Sequence, residues 1–195
     1  MREVDNILAL DAVKPDFMGM IFYDKSPRDA SLVLVDPALA TDLPRVGVFV
    51  NPKLEEVMAK AKIYNLSYIQ LHGDESEKLA KALKDAGLGV IKVFRLEDSL
   101  PVQEIMPFEG VVDFFLFDTK TQLFGGSGQK FNWDILKNYP FDTPYFLSGG
   151  IELDDIENIK SMKLPGLYAI DINSKFEIVP GKKDIEKIKK VKALL

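Results

Sequence analysis

Several residues in this chain have the chemistry to hold an anionic ligand and move its protons. Asp118 follows the very apolar run Phe114-Phe115-Leu116-Phe117. A carboxyl at the end of such a run is partly desolvated, which favours its protonated form and suits a general acid. The same carboxyl could instead cap a helix or pair with Lys120. Arg28, after Pro27, offers a guanidinium able to grip a carboxylate or phosphate through two parallel hydrogen bonds. A solvated loop arginine is its plainer role. His72 can donate a hydrogen bond or transfer a proton near neutral pH, or simply anchor its loop. In Ser148-Gly149-Gly150 the glycines let backbone N–H groups approach a phosphate, or merely make a tight turn. Asn173 and Ser174 could add donors to the same anion site. The loop Gly125-Gly126-Ser127-Gly128 has the composition of a closing lid or of an ordinary connection.

These residues share one feature: each follows a short apolar run. Runs rich in Val, Ile and Phe at 17–23, 46–50, 68–71, 90–94, 114–117, 145–147 and 167–172 read as strands. None alternates cleanly between polar and apolar, which suits parallel strands covered on both faces. Helical spacing marks 4–13, 53–64, 76–86, 154–162 and 184–194. Asn51-Pro52 and Ser76 stand where helices start, and Gly87 where one stops. The stretch 29–41, with Pro37, fits neither template. The order is one helix, then βα repeated seven times, which predicts a parallel sheet. No GxGxxG follows the first strand and no phosphate-binding P-loop occurs. Polar and glycine signals follow nearly every strand, which favours a closed βα barrel with its site at the strand C-termini over an open sheet with one switch point.

Composition narrows the function classes. The chain has 195 residues, 47% hydrophobic and 28% charged, enough for one domain spanning 1–195. Its net charge of −5 gives no basic footprint for nucleic acid. No apolar run is long enough to cross a bilayer, and residues 1–16 hold no secretory core, so a soluble cytoplasmic protein is expected. With no cysteine and one histidine, a thiol nucleophile and the common metal-ligand sets are not expected. The lysine-rich segment 182–192 has an apolar stripe at Ile185, Ile188, Val191 and Leu195, as a barrel helix with one solvated face would.

Longer motifs run in order along the chain. They include Phe22-Tyr23-Asp24-Lys25-Ser26-Pro27-Arg28, Gln70-Leu71-His72-Gly73-Asp74-Glu75, Asp118-Thr119 and Gly125-Gly126-Ser127-Gly128-Gln129-Lys130-Phe131-Asn132-Trp133. Ser148-Gly149-Gly150-Ile151, Asp171-Ile172-Asn173-Ser174-Lys175-Phe176-Glu177 and Pro180-Gly181-Lys182-Lys183-Asp184 follow. Over essentially the whole chain, this ordered set closely resembles the phosphoribosylanthranilate isomerase family of tryptophan biosynthesis. The resemblance implies a (βα)8 TIM-type barrel and an Amadori rearrangement that uses no cofactor or metal. The substrate would be a small phosphorylated aminosugar, N-(5-phosphoribosyl)anthranilate, and the protein a monomer or homodimer. By resemblance, Asp118 protonates the furanose oxygen and Arg28 binds the anthranilate carboxylate. Gly149, Gly150, Asn173 and Ser174 match the phosphate site, and His72 matches a pocket residue. Another aminosugar-phosphate isomerase of the barrel class would share the chemistry, but it typically uses two opposed aspartates. A non-catalytic phosphate-ligand-binding barrel would keep the glycines and Ser174 without turnover.

One departure stands out. Family members begin with a strand ending in Lys-Ile/Val-Cys-Gly, whose cysteine removes the proton from C2 of the opened sugar. The present sequence starts just beyond the matching point, so the first β-strand and its general base are expected to be missing from this chain. An internal methionine taken as the start, a barrel variant with another base or no activity, and a fragment needing a partner segment are each compatible with this. The polypeptide starting at Met1 is therefore expected to show very low isomerase activity and reduced stability, because unpaired strand edges flank the gap. Turnover near that of a full-length relative, measured on purified and mass-verified material, would refute this.

Overall fold

Val, Ile and Phe favour extended backbone when both faces of a strand can be buried. In the structure, a computed structural model that describes residues 1–32, 41–119 and 130–195, the apolar runs form β1 Met18–Phe22, β2 Arg45–Phe49, β3 Tyr68–Leu71, β4 Gly89–Leu96, β5 Phe114–Thr119, β6 Tyr145–Leu147 and β7 Leu167–Ile170. All seven pair in parallel and in chain order. Among the described residues β1 and β7 do not pair with one another, so they are the two edges of the sheet. The Met1 amino group lies on this open side and donates to the Gly19 carbonyl at 2.6 Å. Among the described residues, the seven strands form a TIM-type barrel wall with one open side.

Alternate residues of each strand point to opposite faces. Val46, Ile91, Val93, Leu116 and Phe146 form an inner cluster, with Phe17, Tyr68, Phe114 and Ala169 against it. Rings of Phe17, Tyr68, Phe114, Phe146 and Tyr168 meet at the N-terminal ends of the strands, with centroids 4.8–6.2 Å apart, and floor the barrel. The other strand face, including Met20, Phe49, Ile69, Phe94, Phe115 and Leu147, packs under the helices.

Helices α1 Val4–Asp11, α2 Leu54–Tyr64, α3 Glu77–Asp85, α5 Ile156–Met162 and α6 Ile185–Leu194 match the expected segments. Among the described residues between α3 and α5, the one α-helix is the short α4 Val102–Ile105. Asp184 caps α6 by accepting from Lys187 N, and Gly87 ends α3 with φ +86°. Ser76 stands at the N-cap of α3, but its side chain makes no capping bond. Asn6 ties α1 to the other end of the chain by exchanging hydrogen bonds with the Lys183 backbone at 2.9 and 2.7 Å.

The regular helix expected after each strand is not found everywhere. After β4 come only four α-helical residues and a 3-10 turn, Met106–Phe108, because Pro101 and Pro107 break the segment into single turns. Before β6 the described residues form a 3-10 helix, Trp133–Asn138, which Pro140 closely follows. After β1 they give a 3-10 turn, Ala30–Leu32; the rest of 29–41 falls mostly outside the described residues. A hairpin, β8 Glu177–Val179 with β9 Lys182–Lys183, adds a small antiparallel sheet that the apolar pattern does not announce. No helix among the described residues is long and apolar enough to cross a membrane.

Candidate active site

Parallel register carries consecutive strands to the same height, so residues just past their ends form one layer. Arg95 of β4 is level with Asp118 of β5. Phe117 pairs with Leu147 and Leu147 with Ile170, which brings Ser148 beside Asp118 and Asp171 beside Ser148. The ladder continues through Ser148 N and Asp171 N, each 2.8 Å from the carbonyl of the strand before. His72 joins the layer by donating from its backbone N to Phe49 O at 2.9 Å. A cavity of about 280 Å³ lies inside this ring, and Arg28, His72, Asp118, Gly149, Gly150, Asn173 and Ser174 all line it. The structure thus brings together all seven residues singled out in the sequence. The Gly125–128 loop and Lys120 lie outside the described residues.

Asp118 sits at the mouth with its side chain about one-fifth exposed. Its Oδ1 accepts from Thr119 N at 2.8 Å and its Oδ2 lies 3.5 Å from His72 Nε2. Gln70 Nε2 faces His72 Nδ1 at 3.1 Å. With the amide as donor, Nδ1 accepts and the imidazole proton resides on Nε2, toward Asp118. Arg95 donates to the His72 carbonyl at 2.7 Å and steadies the same turn. Gly149 and Gly150 take φ +92° and +66°, a pair of left-handed residues. Consecutive N–H groups in such a turn can line a concave anion site.

Arg28 makes a contact within the protein that its position in the sequence does not reveal. Its Nε and NH2 both bind Glu177 Oε2, at 2.8 and 2.7 Å. Lys183 Nζ approaches Glu177 Oε1 at 3.6 Å and binds Asn173 Oδ1 at 2.8 Å. Burial raises the Glu177 pKa, but Arg28 and Lys183 outweigh it and leave the carboxyl below its usual range. Lys183 is pulled down by burial, with Glu177 and Asp171 opposing. Arg28, Glu177, Lys183 and Asn173 therefore form one charged string along the rim, so the Asn173 side-chain oxygen faces the lysine.

Asp171 is the carboxyl to which the sequence reading gave no role. Its Oδ2 accepts from Ser148 Oγ at 3.0 Å. Burial, the larger cause, lifts its pKa above 3.8; Lys183 opposes and the Asp118 charge adds. Between 3.8 and its raised folded value, the native state binds more protons than the unfolded one, so this group lowers stability as pH rises through that window. Asp171→Asn is expected to melt above the parent at about pH 7 and to lose that advantage as pH falls toward 3.8. Thermal melts of both proteins across that range check the sign; an Asn variant that is less stable at neutral pH would contradict it.

Glu177 and Lys183 also received no role, because local pattern does not show that their hairpin folds back onto Arg28. Lys92 did carry a signal, as a charge inside the apolar run 90–94. No group of three or more His, Asp or Glu that could hold a metal ion occurs among the described residues.

Known proteins match this geometry along the whole chain. The family model described as N-(5'phosphoribosyl)anthranilate (PRA) isomerase matches residues 2–193. The N-(5'-phosphoribosyl)anthranilate isomerase of Parabacteroides distasonis is 42% identical over 194 residues, covering 97% of this chain and 87% of that protein. A crystal structure of monomers generated from the dimeric Thermotoga maritima enzyme superposes with a TM-score of 0.80 at 26% identity, covering 100% of this chain and 94% of that one. A phosphoribosyl anthranilate isomerase in complex with reduced 1-(o-carboxyphenylamino)-1-deoxyribulose 5-phosphate gives 0.76 at 27% identity, covering 98% and 93%. With a family model spanning nearly every residue and a relative this similar, the chain belongs to the N-(5'-phosphoribosyl)anthranilate isomerase family.

Proposed function

We propose that this chain isomerises N-(5'-phosphoribosyl)anthranilate to 1-(2-carboxyphenylamino)-1-deoxyribulose 5-phosphate, with Asp118 as the proton donor. Asp118 gives its proton to the furanose oxygen. The bond from C1 to that oxygen breaks, and the anthranilate nitrogen lone pair forms the C1–N double bond. Loss of the C2 proton, here to water in place of a side-chain base, then gives an enolamine, which tautomerises to the C2 ketone. The base in the family is a cysteine, and these 195 residues contain none. Gly149, Gly150 and Ser174 would hold the phosphate through N–H groups and a hydroxyl, with Asn173 beside them. Arg28 would hold the anthranilate carboxylate and His72 would line the pocket near the reacting ring.

The observation that carries this reading is the shared cavity: a carboxyl, a glycine pair in left-handed turns and an arginine all line one space. Arg28 already grips one carboxylate, that of Glu177, and keeps further donors for another. We read residues 1–195 as one domain, monomeric or homodimeric, acting on a small phosphorylated aminosugar in the cytoplasm.

The test pairs calorimetry with an assay under enzyme excess, using the reduced product analogue and the substrate. Binding of the analogue together with product formation above the uncatalysed rate is expected. Binding without any turnover would instead make the chain a phosphate-ligand-binding barrel, and absence of binding would overturn the reading altogether.

A further inference from the structure

A second charged cluster lies on the other side of the barrel wall from the cavity. Ile91 and Val93 of β4 point inward, so Lys92 between them faces the helices. Its side chain is 4% exposed and that of Glu75 only 1%. Lys92 Nζ binds Glu75 Oε2 at 2.7 Å and the Gly73 carbonyl at 2.7 Å. The rings of Phe94 and Phe108 pack beside it, with centroids 6.0 and 5.7 Å from Nζ.

Glu75 holds the loops above. Its Oε1 accepts from Asn51 N at 2.8 Å and from Gly73 N at 2.9 Å, and its Oε2 also lies 3.0 Å from Gly73 N. Asn51, at φ +50°, returns the contact by accepting at Oδ1 from Asp74 N at 2.8 Å. A Cβ on Gly73 would lie 2.4 Å from Asn51 Oδ1 and 2.8 Å from Glu75 Oε1, so the loops interlock without room for a side chain. The Gly73 residue is thus held at both ends, its N–H by Glu75 and its C=O by Lys92. Its neighbour in the chain is His72, whose Nε2 faces Asp118.

We infer that Glu75 and Lys92 are positioning residues: by clamping Gly73 they set the His72 imidazole against Asp118. A buried ion pair is a poor source of net stability, since an apolar replacement is often as good. What this pair supplies is a fixed geometry at a turn that must otherwise rely on a glycine. Because neither side chain lines the cavity, the effect is transmitted through the Gly73 backbone and not through contact with a ligand.

The inference deepens the reading of Asp118 as the proton donor, yet its test reads geometry directly and does not require turnover. His72 is the sole histidine, so its imidazole nitrogens give an unambiguous NMR signal in histidine-labelled protein. In the parent, Asp118→Asn is expected to move the His72 Nε2 resonance by several ppm. In Lys92→Met, that response is expected to disappear while the remaining spectrum stays dispersed and native-like. Because removing one partner of a buried pair can unfold the chain, the neutral double variant Lys92→Met/Glu75→Gln is the second arm. It retains an acceptor for Asn51 N and Gly73 N but loses the ligand of the Gly73 carbonyl. Loss of the response in the folded double variant supports the inference. A His72 signal that still responds to Asp118→Asn in either folded variant would overturn it, leaving the pair a structural contact only. Product-analogue calorimetry on the parent reports separately whether the functional reading stands.

Discussion

Asp118→Asn is expected to lower single-turnover isomerisation at least tenfold from the parent chain's already low rate, toward the 10²–10⁴ that a positioned acid contributes in full. Asparagine has nearly the shape of aspartate, and its carbonyl can still accept from Thr119 N, which now binds Asp118 Oδ1 at 2.8 Å. What it lacks is a proton that can pass to the furanose oxygen as the C1–O bond breaks. The loss should therefore fall on the rate and not on binding. Affinity for the reduced product analogue is expected to change by only about threefold, well under the 1.4 kcal/mol that marks a tenfold effect. Stopped reactions with enzyme in excess give the rate, and calorimetry gives the affinity. A variant that keeps a tenth or more of the parent rate would remove Asp118 from the proposed chemistry. A variant that loses rate and affinity together would point to a binding role instead.

The second large effect is expected from Gly149→Ala, where a single methyl meets backbone. Gly149 has φ +92°, and a Cβ there would lie 2.3 Å from Thr119 Oγ1, 2.7 Å from Thr119 N and 3.1 Å from Asp118 Oδ1. The hydroxyl can rotate away, but the peptide nitrogen at the end of β5 cannot. Either the β6 turn or the end of β5 must move, and Asp118 moves with the latter. Strain at such a φ costs roughly 1–3 kcal/mol, and the collision adds to it, so a total of about 2–4 kcal/mol is expected. For a chain of this size that corresponds to a melting point lower by roughly 5–15 °C. Gly87 supplies the internal control, since it has φ +86° and nothing within 4 Å of its built Cβ. Gly87→Ala therefore reports the backbone strain alone, about 1–2 kcal/mol. The excess of Gly149→Ala over Gly87→Ala measures the collision. Equal losses at the two positions would mean that the turn relaxes freely, and a product-analogue affinity unchanged in Gly149→Ala would remove the glycine pair from the phosphate site.

Asp118 and Gly149 both stand out in the chain as soon as the strands are marked. A run such as 114–117 is apolar because it is covered on both faces, and the first polar residue after it must reach the rim. That logic placed His72, Asp118, Gly149 and Asn173 on one cavity without any knowledge of which strand neighbours which. It failed where local spacing competes with punctuation: Pro101 and Pro107 reduce the connection between β4 and β5 to short turns, although Ile105, Phe108 and Val112 there are still buried.

The sequence by itself determined the alternation of strands with connecting segments, the set of residues at the strand ends, and the family, because each depends on local composition or on the order of motifs. Only the tertiary structure decided how those residues are held. Arg28 meets Glu177 across 149 positions of chain, Glu75 meets Lys92 across 17, and Asp171 gains its raised pKa from burial and the nearby Asp118 charge, against Lys183 and Ser148. Such pairings depend on which strand ends become neighbours when the sheet curls, a consequence of register that no stretch of sequence carries alone. The open side is expected from the resemblance, and the pairing order shows that among the described residues β1 and β7 do not meet.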